Sequence, residues 1–289
     1  MIKNFLILFI VVMALVTGYV LYSKIESPPP ASFIQNTPTL KPVEDNSIAV
    51  SIINEINTKN NQIQNFNCKN AIVYVWHQGL RLKLDGLIYF EKPMNLKMDV
   101  KSILGKEFIM GSNNDEFWFW SKRLNPPSLY YAKHIDYQKT RLKSAFNPLM
   151  VMDSLGFREI YTGKEILIKE INENNVSKIA LVEKTVNSIG QSIGHITLID
   201  KDNKKLLGHL VTDDTGKMIA SAEILEYRND IPYQILYTWY EEDQVMLIEL
   251  PDGEINTTIS NQYWIRPHHN QEVNMGETNV DLKLDFKEE

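Results

Sequence analysis

The chain has 289 residues, of which 44% are hydrophobic and 23% charged, as in a globular protein with one large core or two modest ones. Its net charge of −6, without a dense block of lysine and arginine, argues against a nucleic-acid partner. A single cysteine excludes an internal disulfide and leaves the redox compartment open.

The first predicted element is an uncharged apolar stretch from Phe5 to Tyr22, about as long as a bilayer-spanning helix. Residues 1–24 therefore read as a signal anchor or a signal peptide. The best cleavage site, Val16-Thr17-Gly18, is poor, which favours the uncleaved anchor slightly. Lys3 precedes the stretch and weakly favours export of the rest of the chain.

Residues 25–44 are proline-rich and lack apolar periodicity, so they predict an extended, semi-rigid linker. The folded domain is then expected over residues 45–289. It opens with isoleucines four residues apart, Ile48, Ile52 and Ile56, which predict an amphipathic helix.

The hydrophobic period then changes to two, which is typical of half-buried antiparallel strands. In LRLKLDGLIYF, apolar residues from Leu82 to Phe90 share one face, and NLKMDV repeats the alternation from Leu96 to Val100. A hairpin follows with four consecutive aromatic residues, Phe117 to Trp120. Successive strand residues point to opposite faces, so these rings are expected on both sides of a sheet.

A second, apolar helix is predicted from the cap Asn147, with Pro148 at its first position and Gly156 after its last turn. Beyond Phe157 the β pattern returns, divided into hairpins by turn signals such as Asp252-Gly253. We therefore predict a mainly β (α+β) fold in which ten or more antiparallel strands curl into an incomplete β-barrel, covered by a few helices. Such a sheet encloses a hollow.

Motifs for catalysis are missing from the sequence. Its six histidines show no metal-ligand spacing, and it contains no G-x-S-x-G, P-loop or G-x-G-x-x-G motif. The acidic run Glu241 to Asp243 reads as a solvated hairpin tip. We expect a protein that is not an enzyme and that holds no metal and no cofactor.

Several short motifs occur in an order that is similar to that of a known protein family. They are Gly86 to Pro93, NLKMDV, EFIMGSNNDEFWFW and Asn147 to Met150, followed by LLGHLVTDDTGKMIASAEILEYR and YWIRP. Over residues 46 to 278 the chain resembles the periplasmic lipoprotein carriers (LolA) and their LolB-like relatives. The resemblance implies a half-barrel in the periplasm that holds acyl chains beneath a lid helix, here Asn147 to Leu155. The family's lid-latching arginine is replaced by Lys92, which keeps the charge but loses the planar fork.

The expected function is to bind lipid or lipoprotein acyl chains in an apolar cavity, for lipoprotein transport or sorting in the cell envelope. The protein would be soluble in the periplasm if the signal is cleaved, and otherwise attached to the inner membrane through Phe5 to Tyr22; its protein partner is left open. Two alternatives are a lipid- or lipoprotein-sensing regulator and a structural envelope module without ligand. The predicted cavity lining comprises Leu82, Leu84, Ile88, Phe90, Leu96, Met98, Val100, Met110, Trp118, Trp120, Met150 and Leu155.

Overall fold

The structure is a computed structural model. It describes residues 27–29, 41–42, 46–77, 80–122, 124–125, 127–140, 148–163, 166–173, 176–186, 190–241, 243–278 and 283–284. The predicted span Phe5 to Tyr22, most of the predicted linker and the helix cap Asn147 lie outside these ranges. Among the helices that are described, none combines the length and the apolar character needed to cross a bilayer.

Strands dominate the described part of the chain. The α-helices are α1 (Ser47–Asn61) and α2 (Pro148–Ser154), and short 3-10 helices occupy His134–Lys139 and Asn261–Trp264. The strands are β1 (Lys41–Pro42), β2 (Asn65–His77), β3 (Leu80–Glu91), β4 (Asn95–Ser102), β5 (Gly105–Ser112), β6 (Glu116–Ser121), β7 (Leu124–Asn125), β8 (Leu129–Lys133), β9 (Leu167–Glu173), β10 (Val176–Val186), β11 (Ser192–Asp200), β12 (Lys205–Thr212), β13 (Met218–Arg228), β14 (Ile231–Trp239), β15 (Gln244–Glu249), β16 (Glu254–Ile255), β17 (Glu272–Asn274) and β18 (Lys283–Leu284).

Sixteen of these strands form one curled sheet in the order β1-β9-β10-β11-β12-β13-β14-β15-β2-β3-β4-β5-β6-β8-β17, with β16 paired to β2. Neighbours are antiparallel except β17, which runs parallel to β8. The two end strands of this order do not pair, so the described sheet does not close into a barrel. The predicted fold class is confirmed. Strand β1 lies inside the predicted linker and joins the sheet through β9.

The inner face of the sheet, defined as the face that carries α2, holds the main core. Alternate residues of β2 to β6 point inward and pack against Met152, Leu155 and Phe157 from α2 and the residues that follow it. The ring of Phe157 lies 5.2 Å from that of Phe66 and 6.4 Å from that of Phe90. These contacts fill the inner face of β2 to β6, and the same core continues onto β8 and β13 to β15. We call this part of the sheet the packed half.

The aromatic run divides between the two faces of β6. Phe119 pairs with the inward Met110, and Trp118 pairs with the outward Gly111. A Cβ atom at Gly111 would lie 2.4 Å from the indole of Trp118, so this ring requires glycine opposite it. The prediction that Trp118 and Trp120 share a face with Met110 is therefore wrong. Alternation separates FWFW into two ring pairs, but only the cross-strand register decides which pair faces the core.

The outer face near β6 is covered by the C-terminal segment. The ring of Tyr263 lies 4.6 Å from that of Tyr89, and the guanidinium of Arg266 lies 3.7 Å from the centre of the Tyr131 ring. Tyr131 is the cross-strand partner of Trp118, which is fully buried. The outward rings therefore serve packing against this segment.

Candidate ligand cavity beneath the second helix

A cavity of about 460 Å³ lies between α2 and the inner face of β10, β11 and β12. We call this part of the sheet the open half. The floor includes Ile193, Leu206 and Val211, and the roof includes Met150. Residues 156–161, which follow α2 and which we call the strap, form one wall.

The strap is fastened to α1 by two buried asparagines. The side-chain amide of Asn57 donates to the Ile160 carbonyl at 2.9 Å, and its oxygen accepts from the Ile160 backbone N–H at 2.8 Å. Asn60 donates to the Arg158 carbonyl at 3.0 Å. Because these bonds join residues about a hundred positions apart, the end of α1 sets the position of the strap.

Lys92 takes part in this fastening from the other side. Its Nζ donates to the Asn60 carbonyl at 2.6 Å, and its backbone N–H donates to the Gln64 carbonyl at 2.9 Å. Burial lowers the pKa of Lys92, which the negative charge of Glu159 partly offsets. The contact made by Lys92 is thus with the end of α1, and it reaches the strap through Asn60. The lid-latch role expected from the resemblance stays a prediction.

The floor of the cavity carries a polar patch among its aliphatic side chains. Thr197 on β11 and His209 on β12 are cross-strand partners, with Oγ1 3.1 Å from Nδ1, and His195 lies two residues before Thr197. A register shift in this pair of strands is accompanied by Gly208 at φ 147°, where a Cβ would lie 2.1 Å from the Ala222 carbonyl oxygen. Only glycine suits this backbone, which turns His209 inward.

The pKa values of both floor histidines lie below the ordinary 6.5. Burial lowers the pKa of His209, and the nearby Asp153 opposes this shift only in part. Burial also lowers the pKa of His195, assisted by the neighbouring His209. The buried Nε2 atom of His209 makes no hydrogen bond of normal geometry, although the backbone of Asp153 lies close enough to raise the pKa of the ring. On β11 and β12 the floor therefore presents polar rings of lowered pKa, with the carboxylate of Glu183 on β10 as the cross-strand neighbour of His195.

Opposite charges above the floor are paired with each other. Arg158 on the strap donates to the Asp153 carboxylate of α2 at 2.6 Å. Ser154 hydrogen-bonds the hydroxyl of the buried Tyr237 on β14, which ties α2 to the sheet. The exposed Glu159 and Glu183 also border the cavity.

The predicted lining residues fall into three groups. Ten pack in or against the main core, namely Leu82, Leu84, Ile88, Phe90, Leu96, Met98, Val100, Met110, Met150 and Leu155. Among these ten, Met150 borders the cavity described here, while Trp118 and Trp120 lie on the outer face. A ligand-binding role for the other core residues stays a prediction.

The polar floor was missed in the sequence, although it leaves a trace there. Gly194-His195-Ile196 and Gly208-His209-Leu210 repeat the same pattern on neighbouring strands. In each case the histidine occupies the inward position of the alternation, where an apolar residue is expected. Within the described residues, no group of three or more His, Cys, Asp or Glu side chains is arranged to hold a metal ion.

No protein-family model matches the sequence, and neither does any curated protein. Solved structures do match. A putative outer membrane lipoprotein-sorting protein domain from Vibrio parahaemolyticus aligns with TM-score 0.50 and 9% identity, over 74% of this chain and 95% of that one. A LolA superfamily protein from Nitrosomonas europaea aligns with TM-score 0.50 and 8% identity, over 75% and 97%.

The chain has a LolA/LolB-like fold. A DUF1329 family protein from Desulfovibrio piger also aligns, with TM-score 0.49 and 11% identity, over 75% of this chain and 97% of that one. In the LolA-like sheet of the present chain, the cavity lies between the open half and α2.

Proposed function

We propose that this protein is an exported, membrane-tethered or periplasmic binding protein that holds lipid or lipoprotein acyl chains, for lipoprotein transport or sorting in the cell envelope. The observation that carries the proposal is the cavity of about 460 Å³ between α2 and the open half of the sheet. Ligand pockets in proteins are typically about 300 to 1,000 Å³. The LolA-like fold and the lipoprotein-sorting neighbour support the same class of ligand.

The energetics of an acyl chain explain why such a cavity is needed. A chain of about sixteen carbons exposed to water costs on the order of 12 kcal/mol, at roughly 0.8 kcal/mol per methylene. A carrier must offset most of this cost and still release the chain. Aliphatic floor residues such as Ile193 and the flexible Met150 of the roof suit a guest without fixed shape.

Binding and release, without bond chemistry, are the proposed activity. Residues 1–24 would direct export, as either a retained anchor or a cleaved signal, and the part of the predicted linker before β1 would separate the membrane from the folded domain. N-terminal sequencing of the mature protein distinguishes a retained anchor from a cleaved signal.

Cross-linking tests the proposal directly. The full chain, purified in detergent, is incubated with a photoreactive palmitoyl probe, irradiated and digested, and the labelled peptides are mapped by mass spectrometry. We expect labels on residues that border the cavity, such as Met150 and Leu206, and we expect unlabelled palmitoyl lipid to suppress them. Labels confined to Phe5 to Tyr22, or absent altogether, would leave a structural module as the better interpretation.

A substitution at the cavity rim gives the matched control. Val186 borders the cavity and is 50% exposed, while Leu167 on β9 is 52% exposed and does not border it. Val186→Trp should obstruct the cavity and reduce cavity labelling several-fold, whereas Leu167→Trp should leave it unchanged. Equal labelling in the two variants would place the ligand elsewhere.

A further inference from the structure

The floor of the cavity combines aliphatic and polar side chains. On β11 and β12, His195, Thr197 and His209 lie among the aliphatic floor residues, with Ile193 and Val211 towards one end of their strands and Leu206 towards the other. On β10, Glu183 and Thr185 also border the cavity, next to His195 and Ile193. A floor built only to hold hydrocarbon has no use for these polar side chains, because unpaired polar groups weaken apolar burial.

One of these groups is only weakly paired. The Nδ1 atom of His209 is within hydrogen-bond distance of the Thr197 hydroxyl. Its buried Nε2 makes no hydrogen bond of normal geometry, although the backbone of Asp153 on α2 lies close enough to raise the pKa of the ring. The Asp153 carboxylate is engaged by Arg158. A poorly paired buried nitrogen is costly, and a ligand atom that pairs with it recovers part of that cost.

The charges around the cavity select among possible ligand atoms. Among the residues that the structure describes, three carboxylates border it, Asp153, Glu159 and Glu183, against the single guanidinium of Arg158. Arg158 is already paired, and the carboxylates would repel an anionic head group. An uncharged group that both donates and accepts hydrogen bonds does not need Arg158 as a partner and is not repelled by the carboxylates.

We propose that His195, Thr197 and His209 form a neutral hydrogen-bonding subsite that receives the uncharged ester, amide or hydroxyl group of an acyl-chain amphiphile. The inference rests on the proposed function, because the acyl chain itself would lie along the aliphatic part of the same cavity. The subsite thereby selects neutral acyl lipids over free fatty acids of the same chain length.

Competition against the photoreactive palmitoyl probe on the full chain tests this selectivity. The two competitors are 1-palmitoylglycerol and palmitate, which share one chain and differ in head group. We expect 1-palmitoylglycerol to suppress cavity labelling at a concentration about three- to tenfold lower than palmitate, as one or two hydrogen bonds would give.

Two variants assign the selectivity to the subsite. Thr197→Val keeps the side-chain shape and His209→Phe keeps a ring, and each should bring the two competitors close to equal potency. Thr238→Val is the control, since Thr238 is a partly buried threonine on the outer face of β14. It should retain the wild-type difference.

The possible failures are distinguishable. Wild-type protein without cavity labelling would overturn the proposed function. Cavity labelling with equal competition by the two lipids would overturn the subsite alone, and so would a difference that persists in both the Thr197 and His209 variants.

Discussion

The packed half and the open half belong to one sheet, yet they are used differently. In the packed half, Phe157 and Leu155 fill the inner face, and side chains such as Leu96 and Met98 are fully buried. In the open half the roof stands away from the floor and leaves the cavity. A curled sheet therefore does not by itself specify a binding site, because the position of α2 and the strap decides which half is filled.

The largest expected effect is on the packed half. Phe157→Ala removes a ring that is 2% exposed and lies between Phe66 and Phe90. We expect the free energy of unfolding to fall by about 3–5 kcal/mol, measured by urea denaturation, because the ring leaves a cavity that its neighbours only partly fill. Tyr161→Ala, at a strap residue that is 66% exposed, should change stability by less than about 0.5 kcal/mol. Similar losses in both variants would contradict the division into two halves.

A smaller effect is expected where the strap is fastened to α1. Asn57→Ala removes both hydrogen bonds to the Ile160 backbone, so the Ile160 N–H loses its partner. The expected loss of stability is about 1–3 kcal/mol, with faster hydrogen exchange over residues 156–161.

Asn54→Ala is the control for this strap contact, since Asn54 lies one turn earlier on α1 and is exposed. It should leave both stability and exchange near wild type. Unchanged exchange in the Asn57 variant would mean that the strap is fixed by other contacts.

The smallest expected effect is a pH dependence specific to the open half. Burial holds the pKa of His195 and His209 below the ordinary 6.5 in the folded protein. On acidification below 6.5 the unfolded chain therefore binds protons first, and the free energy of unfolding falls as the pH decreases. This slope should be visible down to about pH 5, where carboxylates begin to contribute. The charged groups that face these rings are Asp153 of α2, Arg158 of the strap and Glu183 of β10, the cross-strand neighbour of His195.

Removing one buried histidine should reduce that slope. His209→Gln is expected to weaken the pH dependence of the urea midpoint between pH 6.5 and 5. His268→Gln, at a side chain that is 91% exposed, should leave it intact. An unchanged slope in the His209 variant would show that this ring does not titrate differently in the two states.

Several residues show which features of the fold could be predicted from the sequence. Ile52 and Ile56 predicted α1, and Pro148 and Gly156 predicted α2 with its end at a positive φ of 76°. The aromatic run of β6 was predicted to place rings on both faces, and it does, but the inward pair is Phe117 and Phe119. Periodicity shows which residues of a strand share a face. It does not show which of the two faces packs against the core.

The site was harder to predict than the fold. Hydrophobicity directed attention to the most apolar strands, β3 to β6, whereas the described cavity lies over β10 to β12. The contact of Lys92 with the end of α1 could not be predicted from the sequence either, because it joins residues 32 positions apart through a backbone carbonyl. Nothing in residue type distinguishes a carbonyl that accepts a lysine from one that does not.

Local sequence determined the two helices, the strands, their turns and the curled mainly β architecture, because propensity and periodicity act over a few neighbouring residues. Tertiary structure alone decided which rings face inward, which half of the sheet stays open and where His195 and His209 meet. The first two features depend on how α2 lies over a sheet in which strands far apart in the chain pair, such as β15 and β2. The third depends on which face of β11 and β12 lies beneath α2. No local pattern records such a pairing, so it had to be observed in the folded protein.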